Sequence, residues 1–162
     1  MTITGTPTIT YTTSYTKCGA PTSIGFTSIV KPGGSLTISW SGASAGTNNT
    51  ITGYDVYYKI GAAPTTSSYD GTASVSSTNT SASKTFTISS SANIRGEIFY
   101  AMVRTKGSAG SSYYSDWKSG NGGKVNSLPG TPTVSVDKTR IKSTGSTTVK
   151  FTVTAGADND IS

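Results

Sequence analysis

The side chains able to do chemistry in this chain are few, and the most telling fact is an absence: none of its 162 residues is histidine. That removes the usual general base and the commonest metal ligand, so Ser–His–Asp and Cys–His arrangements cannot be built from this chain alone. Cys18 is the only cysteine, so no intrachain disulfide can form. It precedes the first strand-like segment and is expected to be a small buried or half-buried residue, not a nucleophile. Seven carboxylates remain: Asp55, Asp70, Glu97, Asp116, Asp137, Asp158 and Asp160. None forms a spaced pair of the kind that hydrolyses glycosides. Asp158-Asn159-Asp160 has oxygen ligands like the start of a calcium loop but lacks the Gly and the distal Glu, so a solvated loop is expected there. Gly120-Asn121-Gly122-Gly123 follows no strand-to-helix pattern, which argues against a phosphate cradle. The expectation is a chain with no catalytic residue, no cofactor and no metal.

What remains is aromatic and basic. Tyr113, Tyr114 and Trp117 are expected on the last strand, beside Tyr57 on the third. Alternation sends some of these outward, where Tyr and Trp stack on sugar rings or anchor a protein interface. The plainer alternative is that Trp117 and one tyrosine pack the edge of the fold. Thirteen basic residues against seven acidic ones give a net charge of +6. They are scattered, and only Lys138, Arg140, Lys142 and Lys150 come close together. Nucleic-acid binding would want a tighter stripe interleaved with aromatics and is not expected. Solvated strand faces, with lysines blunting sheet edges, account for most of them. Binding to an anionic cell-wall polymer stays open.

The elements that must position these residues read as strands. Gly, Ser and Thr dominate, only 12% of residues are charged, and no helix-forming run of Ala, Leu, Glu and Lys occurs. Period-2 alternation and turn punctuation place strands at Ile24 to Ile29, Leu36 to Trp40, Tyr54 to Ile60, Ala73 to Val75 (an edge), Lys84 to Ile88, Ile98 to Lys106, and within Tyr113 to Val125, the last broken by glycines. Leu36, Ile38 and Trp40 should share one face, as should Tyr54, Val56 and Tyr58, with Phe86 and Ile88 also inward. Residues 1–17 read as an extended arm or linker, 18–128 as one domain and 129–162 as the start of another. No signal peptide is visible in Met1-Thr2-Ile3-Thr4-Gly5, and there is no membrane-spanning run.

The second domain is an internal repeat. Gly19-Ala20-Pro21-Thr22, Gly34-Ser35, Ile38-Ser39-Trp40 and Asn48 return as Gly130-Thr131-Pro132-Thr133, Gly145-Ser146, Val149-Lys150-Phe151 and Asn159, at an offset of 111 (132 − 21). A period near 100 residues suits one sandwich domain per repeat. The second copy covers about two strands, too little to bury its own apolar face, so it is expected to be completed by further chain or by another copy.

Pro21, Leu36-x-Ile38-x-Trp40, Gly53-Tyr54-x-Val56-Tyr57-Tyr58, Phe99-x-x-x-Val103-Arg104 and Ser112-Tyr113-Tyr114-Ser115-x-Trp117 together resemble the fibronectin type III domain over residues 20–126. The resemblance implies an all-β, seven-stranded sandwich with an extended N-terminal arm and the start of a second repeat. It departs from the family at Phe99, where the family's corner tyrosine would stand. The stretches Trp40 to Asn49 and Gly107 to Lys118 look like tandem repeats of phage and prophage structural proteins. That implies a non-enzymatic module on a virion surface (tail, tail fibre, baseplate or capsid decoration), made in the host cytoplasm. Its implied partners are other virion subunits or copies of itself, with weak adhesion to cell-surface polysaccharide, no nucleic acid and no membrane insertion. A spacer or accessory binding module of a secreted bacterial enzyme or adhesin is the alternative.

Overall fold

The computed structural model describes residues 10–127, 132–136 and 144–154. Its strands are β1 (Ser23–Phe26), β2 (Ile29–Val30), β3 (Ser35–Ser41), β4 (Ile51–Ile60), β5 (Gly71–Ser76), β6 (Ala82–Thr87), β7 (Ile98–Gly107), β8 (Lys118–Val125), β9 (Thr133–Val136) and β10 (Val149–Thr152), with 3₁₀ turns at Ala92–Ile94 and Ser111–Tyr113. The protein is all-β. β1 to β8 form two sheets, one in the order β1-β3-β6 and one in the order β2-β8-β7-β4-β5; β9 and β10 pair separately. All pairings are antiparallel except β2 with β8.

The inward faces follow from period-2 alternation. Leu36, Ile38 and Trp40 of one sheet meet Tyr54, Val56, Tyr58, Phe99 and Val103 of the other in a single core cluster. Each such side chain, taken fully out of water, contributes about 1.5–3 kcal/mol. The Trp40 ring meets the Tyr54 ring edge-on, with centroids 5.2 Å apart, and the Tyr54 hydroxyl donates to the Asn79 carbonyl. Phe99 is fully buried while Tyr100 faces the other way and is half-buried. The register of β7 therefore leaves no tyrosine hydroxyl at the Phe99 position.

Two expected strands are corrected. The segment expected as one strand from Ile24 to Ile29 is two strands, which gives eight in the two sheets where seven were expected. After Phe26 the chain turns at Thr27, whose hydroxyl accepts the Thr37 N–H at 2.9 Å, and β2 crosses to pair with Lys124 and Val125 of β8. Of the glycines expected to break the last strand, Gly120 and Gly122 instead pair within β8, whereas Gly123, at φ +61°, does interrupt its register: Phe99 pairs with Gly122 and Ile98 with Lys124. A Cβ at Gly120 would lie 3.3 Å from Ile24, and one at Gly122 would lie 3.2 Å from Phe26. The missing side chains let the two sheets converge along β1 and β8.

Residues 14–19 are bonded to the loops at one end of the sheets. Asn49, only 1% exposed, is the hub. Its Nδ2 donates to the carbonyls of Thr16 (2.9 Å) and Tyr113 (3.0 Å), and its Oδ1 accepts the Ala109 N–H (3.0 Å). The Thr16 hydroxyl accepts the Thr47 N–H at 2.6 Å, and Asn48 Nδ2 donates to the Ser14 carbonyl at 2.9 Å. A Cβ on Gly46 would collide with the Thr16 carbonyl. Cys18, 4% exposed, is buried here as expected. The loops between β3 and β4 and between β7 and β8 are thus occupied in seating the incoming chain.

β9 and β10 form a two-stranded ribbon pairing Val136 with Val149 and Val134 with Phe151. Directly paired residues share a face, so these four apolar side chains lie together, and all four are exposed. The Asp158-Asn159-Asp160 loop, the Met1–Gly5 segment and Lys138, Arg140 and Lys142 lie outside the described residues.

Candidate functional site

The outer face of the five-stranded sheet carries the densest cluster of polar and aromatic side chains. Because Tyr54, Val56 and Tyr58 of β4 point inward, Asp55 and Tyr57 point outward. The β4–β7 register sets Asp55 opposite Arg104 and Tyr57 opposite Met102. Arg104 donates from Nε (2.9 Å) and Nη2 (2.8 Å) to Asp55 Oδ2. Ser74, brought alongside by β5, donates to Asp55 Oδ1 at 2.6 Å, and Lys106 Nζ lies 3.7 Å from the same oxygen.

The rings arrive from two loops. Ser115 is buried, its hydroxyl accepting the Thr105 N–H at 2.8 Å, and its own N–H donates to the Thr105 carbonyl at 2.9 Å. That anchor sets Tyr114 and Trp117 on either side of Arg104, whose Cζ lies 4.7 Å from the Trp117 ring centroid and 5.1 Å from that of Tyr114. Lys106 Nζ sits 5.9 Å over Tyr114. The loop after β4 returns Tyr69 to the sheet, closed by the Asp70 carboxylate accepting the Ile60 N–H at 2.8 Å. Tyr57 then stands edge-on between Tyr69 (4.9 Å) and Trp117 (5.3 Å). Met102 is 6% exposed although it lies on the outer face, so the rings make a small second apolar layer over the sheet. Ala63, Pro64, Tyr100, Ser119 and Asn121 line an open cleft on the same sheet.

The electrostatics are asymmetric. Burial alone would push the Asp55 carboxyl up, but the hydrogen bonds from Ser74 and Arg104 and the charges of Lys106 and Arg104 outweigh it and hold the group below the usual carboxylate range. One anion thus serves two cations.

Of the four aromatics singled out from sequence, Tyr57, Tyr114 and Trp117 come together here. Tyr113 does not: it ends a 3₁₀ turn and packs against Tyr15 with centroids 5.6 Å apart. The expectation that Tyr113, Tyr114 and Trp117 ride on the last strand is corrected, since β8 begins at Lys118. The Ser115 anchor and the 3₁₀ turn take those residues out of the ladder. Asp55, Arg104, Lys106 and Tyr69 were not singled out. Asp55 and Arg104 each follow an inward residue, so alternation marks them as outward, but their pairing needs a register that sequence does not supply. No group of three or more Cys, Asp or Glu able to hold a metal occurs among the described residues. No helix there is long and apolar enough to cross a membrane.

Fold and site together define a class: an all-β protein whose two sheets share one core, with an aromatic and cationic outer face and a second, separately paired ribbon. The chain matches no protein-family model and no curated protein sequence.

Proposed function

We propose that this chain is a non-enzymatic structural or surface module of a phage particle (tail, baseplate or capsid decoration), built on fibronectin type III-like repeats. The observation that carries this reading is the recurrence of the β1–β3 pairing in β9–β10, with apolar residues meeting in both: Ile24 with Trp40 and Phe26 with Ile38 in one, Val134 with Phe151 and Val136 with Val149 in the other. Tandem sandwiches space and project what they carry. The strand order β1-β3-β6 against β2-β8-β7-β4-β5 supports the fibronectin-like sandwich, and the seating of residues 14–19 on the loop end supports a stiff junction with whatever precedes the first sandwich. In the particle, the exposed face of β9–β10 is covered by a second sheet, from a neighbouring subunit or from further natural chain.

The aromatic row also suits the alternative, a spacer or accessory binding module of a secreted enzyme or adhesin. Labelling with antibodies raised against residues 18–127 separates the two. Regular label on purified virions by electron microscopy is the expected result. Label confined to a secreted protein carrying a catalytic domain would overturn the phage reading in favour of the alternative.

A further inference from the structure

We propose that the outer face of the five-stranded sheet binds an acidic saccharide, a pyranose carrying a carboxylate or a phosphate, with Trp117 and Tyr57 as ring contacts and Lys106 and Arg104 as charge contacts. This deepens the surface-module reading and rests on it only for its biological setting. Rings and cations here are fixed before any ligand arrives. Asp55 takes Nε and Nη2 of Arg104 and leaves Nη1 for an incoming oxygen. Lys106 Nζ lies 3.7 Å from Asp55 Oδ1 and donates to Ser74 Oγ at 3.5 Å, but a single carboxylate against two cations leaves the Arg104–Asp55–Lys106 group with a net positive charge for a second anion. The Lys106 side chain is 28% exposed, enough to reach a ligand.

A pyranose presents an apolar C–H face to an aromatic ring and hydroxyls at its rim. Trp117, one face of which holds the Arg104 guanidinium, and Tyr57, packed between Tyr69 and Trp117, supply the ring contacts from their remaining half-exposed surface, and Ser119 and Asn121 in the adjoining cleft supply hydrogen-bonding side chains. A neutral sugar would use the rings but leave the excess positive charge without a counterpart. An acidic peptide would use the charge and gain little from the rings. A nucleic acid needs a broad basic stripe, whereas Arg104 and Lys106 share Asp55, and Lys59, further along the same face, is bonded to Ser68.

Calorimetric titration of the full chain with oligogalacturonate, glucose 6-phosphate, a neutral galactose oligomer and an oligoglutamate of matched charge tests the assignment. Oligogalacturonate, glucose 6-phosphate or both should bind at least ~10-fold more tightly than the neutral oligomer and than oligoglutamate, a difference of about 1.4 kcal/mol. Which of the two binds better tells uronate from phosphate. Lys106→Gln and Trp117→Ala should each weaken binding ~10-fold or more. Lys84→Gln, which removes the same charge from the opposite sheet, should leave it unchanged. Near-ultraviolet dichroism from the buried Trp40–Tyr54 pair reports whether each variant is folded, and Lys106→Gln carries the test if Trp117→Ala is not. Binding of neutral and acidic oligomers alike, equal binding of oligoglutamate, equal losses from Lys84→Gln and Lys106→Gln, or no saccharide binding would each overturn the proposal. None of these outcomes bears on virion labelling, so the two readings fail separately.

Discussion

The β1–β3 pair and the β9–β10 pair join their strands alike and differ in what lies over them. Trp40 faces Ile24 as Phe151 faces Val134, and Ile38 faces Phe26 as Val149 faces Val136. Trp40 and Phe151 are 111 positions apart (151 − 40), but Ile24 and Val134 are 110 apart (134 − 24). The offset of 111 expected throughout thus drops by one in the first strand, and one residue is missing between Pro132 and Val134. Pairing absorbs that change and keeps the apolar residues opposed. Burial does not follow pairing: Ile38 and Trp40 are 0% and 2% exposed, Val149 and Phe151 46% and 68%. Alternation supplies a face, and only an opposing sheet supplies a core.

The sharpest way to break the comparison is to delete the same knob from both pairs. Trp40→Ala removes a ring packed on Tyr54 and surrounded by the core. It should cost about 3–5 kcal/mol, read as a lower urea midpoint for the unfolding of residues 18–127. A cost below about 1 kcal/mol would mean that the two sheets do not share the core described.

The loop clamp comes next, because nothing described around β9–β10 corresponds to it. Asn49→Ala leaves the Thr16 and Tyr113 carbonyls and the Ala109 N–H without their shared partner. It should cost about 2 kcal/mol. Hydrogen exchange at Thr16 and Cys18, whose amides donate to the Thr47 and Tyr113 carbonyls, should speed up more than exchange in β4 or β7. Uniform acceleration across all strands would show that residues 14–19 are not separately held by Asn49.

Much of the core is legible in the sequence. Leu36-x-Ile38-x-Trp40 and Tyr54-x-Val56-x-Tyr58 alternate cleanly, and their inward faces follow from that alone. The parts that were not legible depend on distant partners. Gly120 and Gly122 look like strand breakers until Ile24 and Phe26 are seen lying over them. Asn49 sits in a run of Ser, Thr, Gly and Asn where nothing separates a buried hub from a solvated loop. The Tyr113–Trp117 segment has the aromatic content of a strand, yet the local bonds of Ser115 decide otherwise. For the outer-face cluster, alternation alone turns Tyr57 outward, while the arrival of Tyr114 and Trp117 beside it and the Arg104–Asp55 pair at its centre depend on the Ser115 anchor and the β4–β7 register.

That ion pair gives the third test, through pH. Asp55 is held below its unfolded carboxyl range. Its contribution to stability is therefore complete above that range and is lost as pH falls through the lower folded value. Urea midpoints of the native chain should decline across this acidic window more steeply than those of Asp55→Asn. At the other end, burial and the nearby Cys18 raise the Tyr54 phenol, and burial and Asp70 raise Tyr58. Their contributions are complete below pH ~10 and fall away as pH rises past it. The described strands of the β9–β10 ribbon contain no acidic residue and no tyrosine, so neither window should involve it. Equal acid sensitivity in Asp55→Asn would remove Asp55 from the account.

The smallest expected effect is the most discriminating. Phe151→Ala deletes the residue that corresponds to Trp40, but Phe151 is 68% exposed and has little packing to lose. In the isolated chain it should shift stability by no more than about 0.5 kcal/mol. Under the proposed covering of the ribbon by a second sheet the result should change, because there the same deletion removes a buried ring and leaves a cavity. Sedimentation of native and Phe151→Ala chains at increasing concentration asks whether that cover is another copy. Association of the native chain, abolished by the substitution, would identify it as such. A native chain that stays monomeric at every concentration would rule out another copy as the cover. A loss of several kcal/mol from Phe151→Ala in the monomer would contradict the exposed face itself, and with it the contrast between the two pairs.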